Sequence, residues 1–326
     1  MASDRPGPRD HWTPPDYEVD ADGKVVGAKP GSPHNWGRWG EDDQIGTANL
    51  LTPERAVQAS TLIRTGRSFS LSVPFGRGAR NLGTRHDPIH LLSATGTDNV
   101  AGASSAHHLQ DADDLVVLPL QAATHLDGLA HVGRDDTLYN GFWAGTVSAR
   151  EGATRLSADR LATGLIGRCV LVDAARHADL DPFRGVVDVA VLESTLRAQG
   201  VDVGPGDVML LRTGWIGAYT ARDRPPRTRS CGLAPSTLEW IADRDVAMVA
   251  ADNRTVEALP NPEGTAILPF HRRALHDLGL LLGELFALDE LAAHCARTGV
   301  YEAFFCAAPL PLTRSVGTPL NPLVIV

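Results

Sequence analysis

The chain is poor in cysteine, with four in 326 residues, and Cys169, Cys231, Cys295 and Cys306 form no CxxC pair. That excludes a thiolate zinc ribbon and a disulfide framework as organising devices, and it fits a reducing cytoplasm. No run of about 18 apolar residues occurs, so no membrane-spanning helix is expected, and the opening MASDRPGPRDHWTPPD has no apolar stretch of a signal peptide. The expectation is a soluble, cytoplasmic protein without a membrane partner. Basic charge is also scarce. Lys and Arg number 30 against 39 Asp and Glu, for a formal net charge of −9. Without a basic stripe to meet a phosphate backbone, nucleic acid is not an expected partner.

What is present is ordinary for a globular chain: 43% hydrophobic and 21% charged residues. Residues 1–33, rich in Pro, Gly, Asp and Arg without hydrophobic period, read as an N-terminal arm, either disordered or wrapped on a neighbouring subunit. Residues 34–326 then form one domain. Thr52 before Pro53, with Gly66 as a stop, predicts a helix over 53–65. CVLVDA (169–174), DVMLLRT (207–213) and DVAMVAAD (245–252) are short apolar runs that read as buried strands. Between them, 188–199 and 236–244 have helical character, the second opened by Ser236 and Glu239 in a capping-box arrangement. LGLLLGEL at 278–285 and a helix over 289–297 continue the alternation, and YEAFFCA and LVIV follow as apolar segments. The expected class is α/β, a mixed β-sheet flanked by helices. The stretch 67–150, less periodic and rich in Gly, His and Asp, is where a loop-built site is expected.

Within it lies ATHLDGLAH, 123–131. If VVLPLQAATHLD runs extended, Gln121, His125 and Asp127 share one face and Thr124 and Leu126 the other. An imidazole and a carboxylate two residues apart can reach one divalent cation, zinc or manganese. His131, past the turn at Gly128, is either a fourth donor or a proton carrier. Taken alone, His-x-Asp in a chain with 12 histidines is equally well a hydrogen-bonded loop.

The same stretch resembles the HxGTHxDxPxH box of the cyclase family that includes bacterial kynurenine formamidase and isatin hydrolase. Gln121, Ala123, Thr124, His125, Asp127, Leu129 and His131 stand at its positions; the core T-H-x-D and the last His match, whereas the first His, the Gly and the Pro do not. WGRWGEDDQIGTANLLTPE (36–54), HVGRDDTLYNG (131–141), LLRTGW (210–215), VAMVAADNRTVE (246–257), HRRALHDLGLLLGELFALDEL (271–291) and the ending TPLNPLVIV also resemble blocks of its longer members.

The resemblance implies a kynurenine formamidase/cyclase-like fold and a divalent metal held by His125, Asp127, His271 and Glu284, with Gln121 at the remaining ligand position and His131 as catalytic base. It implies hydrolysis of a small amide, imide or lactone through metal-activated water. A cyclase or dehydratase acting on an aromatic or polyketide metabolite, or a metal-free binding protein, is the alternative. Gln121 leaves three outcomes open: ligation through its amide oxygen, a hydrogen bond to metal-bound water, or loss of the ion. Thr124 is placed to orient a ligand or the water. Trp36, Trp39, Tyr139, Asn140, Phe142, Trp143, Arg212 and Trp215 are candidate substrate contacts. His107 and His108 are weaker candidates, and Asp252, Asn253 and Glu257 a supporting polar network. The expected partners are a small-molecule substrate and further copies of the chain, as a homodimer or higher oligomer.

Overall fold

A computed structural model describes residues 16–100, 111–264 and 266–326. His107 and His108 lie outside the described residues, as does the start of the arm. Residues of 16–33 lie on their own chain: Val25 donates to the Gly141 carbonyl, Gly23 accepts from Trp143, and Gly31 donates to Asp277 Oδ1 at 2.9 Å.

The sheet has nine strands, which we number in chain order: β1 Ser68–Ser70, β2 His125–Asp127, β3 Leu165–Asp173, β4 Val208–Arg212, β5 Met248–Ala251, β6 Leu281–Glu284, β7 Glu302–Ala307, β8 Gly317–Pro319 and β9 Leu323–Ile325. Their spatial order is β1-β9-β7-β3-β4-β5-β6-β2-β8. Strands β3, β4, β5 and β6 are mutually parallel, and the flanking pairs are antiparallel. The sheet is therefore mixed, as the alternation of elements indicated.

Burial explains which strands were easy to read. Strands β4, β5 and β6 are buried on both faces almost throughout, and so appear as unbroken apolar runs. Strand β7, nearer the edge, alternates half-buried and buried positions.

The helices follow their local chemistry with two departures. Helix α1, Pro53–Ser60, is capped by Thr52, whose side chain accepts from Arg55 N, but it stops short of residue 65. Thr65 and Gly66 instead donate to the Val326 carbonyl, which ties this segment to the end of β9. Helix α2, Val189–Gln199, is capped by Asp188 and closed by Gly200 at φ +65°, a left-handed conformation that suits glycine. Helices α3, Trp215–Thr220, and α4, Thr237–Asp243, follow. The capping box at α4 does not form: Ser236 is itself helical and makes no side-chain cap bond, while Thr237 Oγ1 donates to the Ala234 carbonyl. Helices α5, Pro269–Arg273, and α6, Asp289–Thr298, lie towards the C-terminus, and shorter helical turns lie at Gly96–Val100 and Ala174–His177. No helix among the described residues is long and apolar enough to cross a membrane.

Candidate metal centre and adjoining cavity

Strand β2 is only three residues long, and both of its polar side chains point the same way. Leu126, between them, is fully buried in the main hydrophobic core. The expected extended run through 116–127 is interrupted: a separate hairpin strand ends at Val117, and the chain turns before re-entering the sheet at His125. Thr124 points away from the centre as the alternation required. Its Oγ1 donates to the Leu285 carbonyl at 2.6 Å and accepts from Val73 N at 2.9 Å, so it holds β2 in place rather than touching a ligand.

Antiparallel pairing sets His125 opposite Glu284 and Asp127 opposite both Leu282 and Gly317. Directly opposed residues share a face, and His125 Nε2 lies 3.4 Å from Glu284 Oε2 and 3.5 Å from Asp127 Oδ1. Helix α5 brings the fourth group: His271 Nε2 lies 3.1 Å from Asp127 Oδ2 and 3.3 Å from Glu284 Oε1. His131, on the turn after β2, reaches within 3.6 Å of Asp127 Oδ1 and stays partly exposed. Residues far apart in sequence thus converge as the resemblance implied. One donor atom each from His125, Asp127 and Glu284 lie within 4.8 Å of one another.

Both ligand-type histidines are oriented by their other nitrogen. His125 Nδ1 is 2.7 Å from the Ala123 carbonyl and His271 Nδ1 is 3.1 Å from that of Thr255. A carbonyl only accepts, so each Nδ1 carries a proton, and Nε2 faces the carboxylates, with a lone pair whenever the ring is neutral. Glu257, buried behind them, accepts from His271 N at 2.8 Å and Phe270 N at 3.3 Å, which fixes the start of α5.

Electrostatics shows what this arrangement needs. With neutral imidazoles, Asp127, Glu284 and Glu257 put three negative charges into a nearly sealed space, a costly state without a cation. Asp127 Oδ1 is buried with no hydrogen-bond partner among the described residues, though two Nε2 atoms face it. Burial by itself would lower His125, yet hydrogen bonds and charge from Asp127 and Glu284 push its pKa up to about 10. His271, likewise opposed by burial, rises to about 9 through Asp127, Glu284 and Glu257. Burial would raise Asp127, but His125 and His271 hold it well below the usual carboxylate range. The pocket attracts positive charge, and its imidazole nitrogens and carboxylate oxygens suit a zinc- or manganese-type divalent ion. The donor set fits.

Gln121 reaches the centre by a route that strand alternation does not provide. A Cβ placed on Gly317 would lie 2.6 Å from Gln121 Nε2. The amide therefore occupies the space that a side chain at 317 would fill, on the face of Asp127. Gln121 Nε2 is buried and has no hydrogen-bond partner among the described residues. Gln121 and Glu284 also line a cavity of about 330 Å³, with Arg254, Thr255, Leu259 and Leu268 on its wall and Arg85 and Ile267 exposed at its edge. Sequence reasoning missed Arg254; its signal was a lone arginine between a strand and Glu257.

The eight candidate substrate contacts go elsewhere. None of them is among the residues lining this cavity. Trp36 Nε1 donates to the His276 carbonyl at 2.7 Å, and Trp39 lies against Arg38. Tyr139 OH donates to Asp43 Oδ2, and Asn140 Nδ2 donates to the carbonyls of Gly40, Glu41 and Asp43. Phe142 is buried beneath Lys24, and Trp143 Nε1 donates to Tyr17 OH. Tyr139, Asn140, Phe142 and Trp143 thus join the 139–143 turn to the N-terminal segment. Arg212 pairs with Asp173 and Asp289, each at 2.8 Å, and Trp215 is buried behind Arg254. Of the expected polar network, Glu257 supports His271, while Asp252 accepts from Thr213 and Gly214 and Asn253 braces the Cys231 and Val256 carbonyls.

Residues 69–258 match the family model described as "putative cyclase". The chain belongs to this cyclase family. A solved structure of a novel cyclase is 37% identical, covering 90% of this chain and 99% of its own, with a TM-score of 0.84. Isatin hydrolase A from Labrenzia aggregata superposes with a TM-score of 0.57 at 18% identity, covering 82% of this chain and 95% of its own. A predicted metal-dependent hydrolase from Bacillus stearothermophilus does so at 0.50 and 16%, covering 79% and 97%. At such identities the likeness to the last two is one of fold alone. No curated protein matches the sequence significantly.

Proposed function

We propose that this cyclase-family chain is a metal-dependent hydrolase of a small amide, imide or lactone. In this reading His125, Asp127, His271 and Glu284 hold one divalent cation, zinc or manganese, and His131 is the general base. The observation that carries it is the orientation of both buried imidazoles: each Nδ1 is spent on a backbone carbonyl, and each Nε2 faces the same two carboxylates.

A divalent ion at such a centre polarises a carbonyl and brings the pKa of a water molecule toward neutrality. The protein's own groups do the rest. Asp127 and Glu284 supply the negative charge that retains a cation, and Glu257 holds the α5 backbone so that His271 stays aimed at them. His131, partly exposed and beside Asp127 Oδ1, takes a proton from the attacking water and returns it to the leaving nitrogen or oxygen. Gln121 lies at the junction of the centre and the cavity. Its amide nitrogen is buried without a partner among the described residues, and the amide offers its oxygen to the cation or a hydrogen bond to the water.

The test is turnover of a panel of aryl amides, cyclic imides and lactones by the loaded enzyme. On a responsive substrate His131→Ala reduces kcat by about 10²–10⁴-fold, the usual share of a general base, with metal content unchanged. Unchanged turnover in that variant removes His131 from the role.

The 37%-identical relative is described as a cyclase, which favours a second reading: ring formation or dehydration with the same His131 and no net hydrolysis. Reaction in ¹⁸O-labelled water separates the two, since only hydrolysis incorporates one solvent oxygen into the product.

A further inference from the structure

Arg254 is a cation that no carboxylate among the described residues pairs with directly. Its Nε is shut away from solvent with no partner, and no hydrogen bond or ion pair from its guanidinium to a described residue forms. Burial lowers its pKa, and the charges of Tyr219 and Glu284 offset this only in part. Glu284, which shares the cavity, does not neutralise it: both carboxylate oxygens of Glu284 face the histidines of the metal centre. A cation bound there would take up that negative charge and leave Arg254 still less balanced.

The side chain is nonetheless held in position. Its guanidinium lies 5.6 Å from the centroid of the buried Trp215 ring, and Trp215 Nε1 is itself fixed by the Arg229 carbonyl at 3.0 Å. The backbone on either side is tied down, through Asn253 to Cys231 and through the Thr255 carbonyl to His271. Arg254 is thus a preorganised fork on the wall of a cavity of about 330 Å³, with apolar Leu259 and Leu268 beside it and a second arginine, Arg85, at the edge. A half-buried guanidinium that no described residue pairs with favours a ligand that supplies the charge, and its planar donors match the two oxygens of a carboxylate.

We infer that Arg254 anchors a carboxylate on the substrate, so that the enzyme acts on small organic acids whose hydrolysable carbonyl sits at the metal centre and whose apolar body lies along Leu259 and Leu268. The substrate class rests on the hydrolase reading above. Arg254 here sets specificity for a permanent charge and is not a stabiliser of charge that develops during reaction.

Calorimetric titration of the full chain with benzoate and with its neutral analogue benzamide, with and without added zinc, tests this. Wild type prefers benzoate by at least about tenfold in both states, the scale of one charge-assisted hydrogen-bond pair. Arg254→Gln removes the preference and Arg254→Lys keeps part of it, while metal content stays unchanged. Equal binding of benzoate and benzamide by wild type, or an undiminished preference in Arg254→Gln, overturns the inference. Should Arg254→Gln fail to fold, the wild-type chain supplies the test: benzoate but not benzamide shields Arg254 from phenylglyoxal, read by peptide mass, and absence of shielding overturns it. On any responsive pair of substrates with and without a carboxylate, Arg254→Gln raises KM for the acid alone; a fall in kcat for both would mean that Arg254 serves the developing charge. Benzoate preference with no turnover of any amide, imide or lactone would leave the anion site standing and remove the hydrolase reading.

Discussion

His125 and Glu284 stand directly opposite each other across the antiparallel pairing of β2 and β6, with Nε2 3.4 Å from Oε2. They are 159 positions apart, and the sheet register alone makes them neighbours. Because that register also fixes Asp127 beside them, side-chain freedom contributes little to assembling the centre. His271 is different, since its place depends on how α5 begins.

That dependence predicts the behaviour of Glu257. Replacing it with Gln leaves one acceptor where two carboxylate oxygens now receive His271 N and Phe270 N. Outer-shell changes of this kind weaken metal binding by about 10–100-fold. Competition against a fluorescent chelator should show that loss in a chain whose circular dichroism is unchanged; wild-type affinity would mean that α5 is held by other contacts.

Gln121 gives the second prediction. Gln121→His exchanges a neutral amide for an imidazole, a better donor to zinc, and raises cation affinity by about tenfold or more if the amide lies at the centre. Gly317→Ala, which drives a methyl group against both Gln121 and the Leu126 carbonyl, destabilises the fold by about 1–3 kcal/mol. Adding Gln121→Ala recovers part of that cost. Strict additivity of the two changes would place Gln121 away from Gly317.

Asp252 supplies a pH signature that is independent of any metal. Burial lifts its carboxyl to about 6 against the hydrogen bonds of Thr213 and Gly214 and the charge of Arg212. The folded form therefore binds the proton more tightly than the unfolded chain, at about 3.9. The sign follows: the favourable contribution is complete below about pH 4 and is lost as pH rises through 6. Urea unfolding from pH 4 to 7 should show Asp252→Asn losing less stability with rising pH than wild type does, by about 3 kcal/mol. Parallel profiles would contradict the raised value. The asparagine amide also meets backbone donors, which adds an offset that does not vary with pH.

Much of this was legible in the sequence because the central strands are buried on both faces and so write themselves as apolar runs, as DVMLLRT and DVAMVAAD do. His271 and Glu284 were legible only through the family blocks, since nothing local marks a histidine in a five-residue helix as a ligand. Gln121 was assigned to the right face by an incorrect route. The chain between Val117 and His125 turns, and the amide lies on the face of Asp127 because Gly317, nearly 200 positions later, has no side chain to exclude it. The aromatic candidates failed for another reason. An aromatic cluster after the box reads as a pocket wall, but Tyr139, Asn140 and Trp143 find their partners in the segment 17–43, a contact that spacing does not encode. Arg254 carries only a weak mark in the sequence, an arginine alone between a strand and Glu257, because what distinguishes it is that no described residue pairs with it.

Metal content tests the central claim most directly. Chain stripped with a chelator and dialysed against zinc or manganese should bind one ion per chain by inductively coupled plasma mass spectrometry. His125→Ala, with its fold confirmed by circular dichroism, should lose that ion. A wild-type chain that stays metal-free in both solutions, or a His125→Ala variant that retains a full equivalent, would contradict the account.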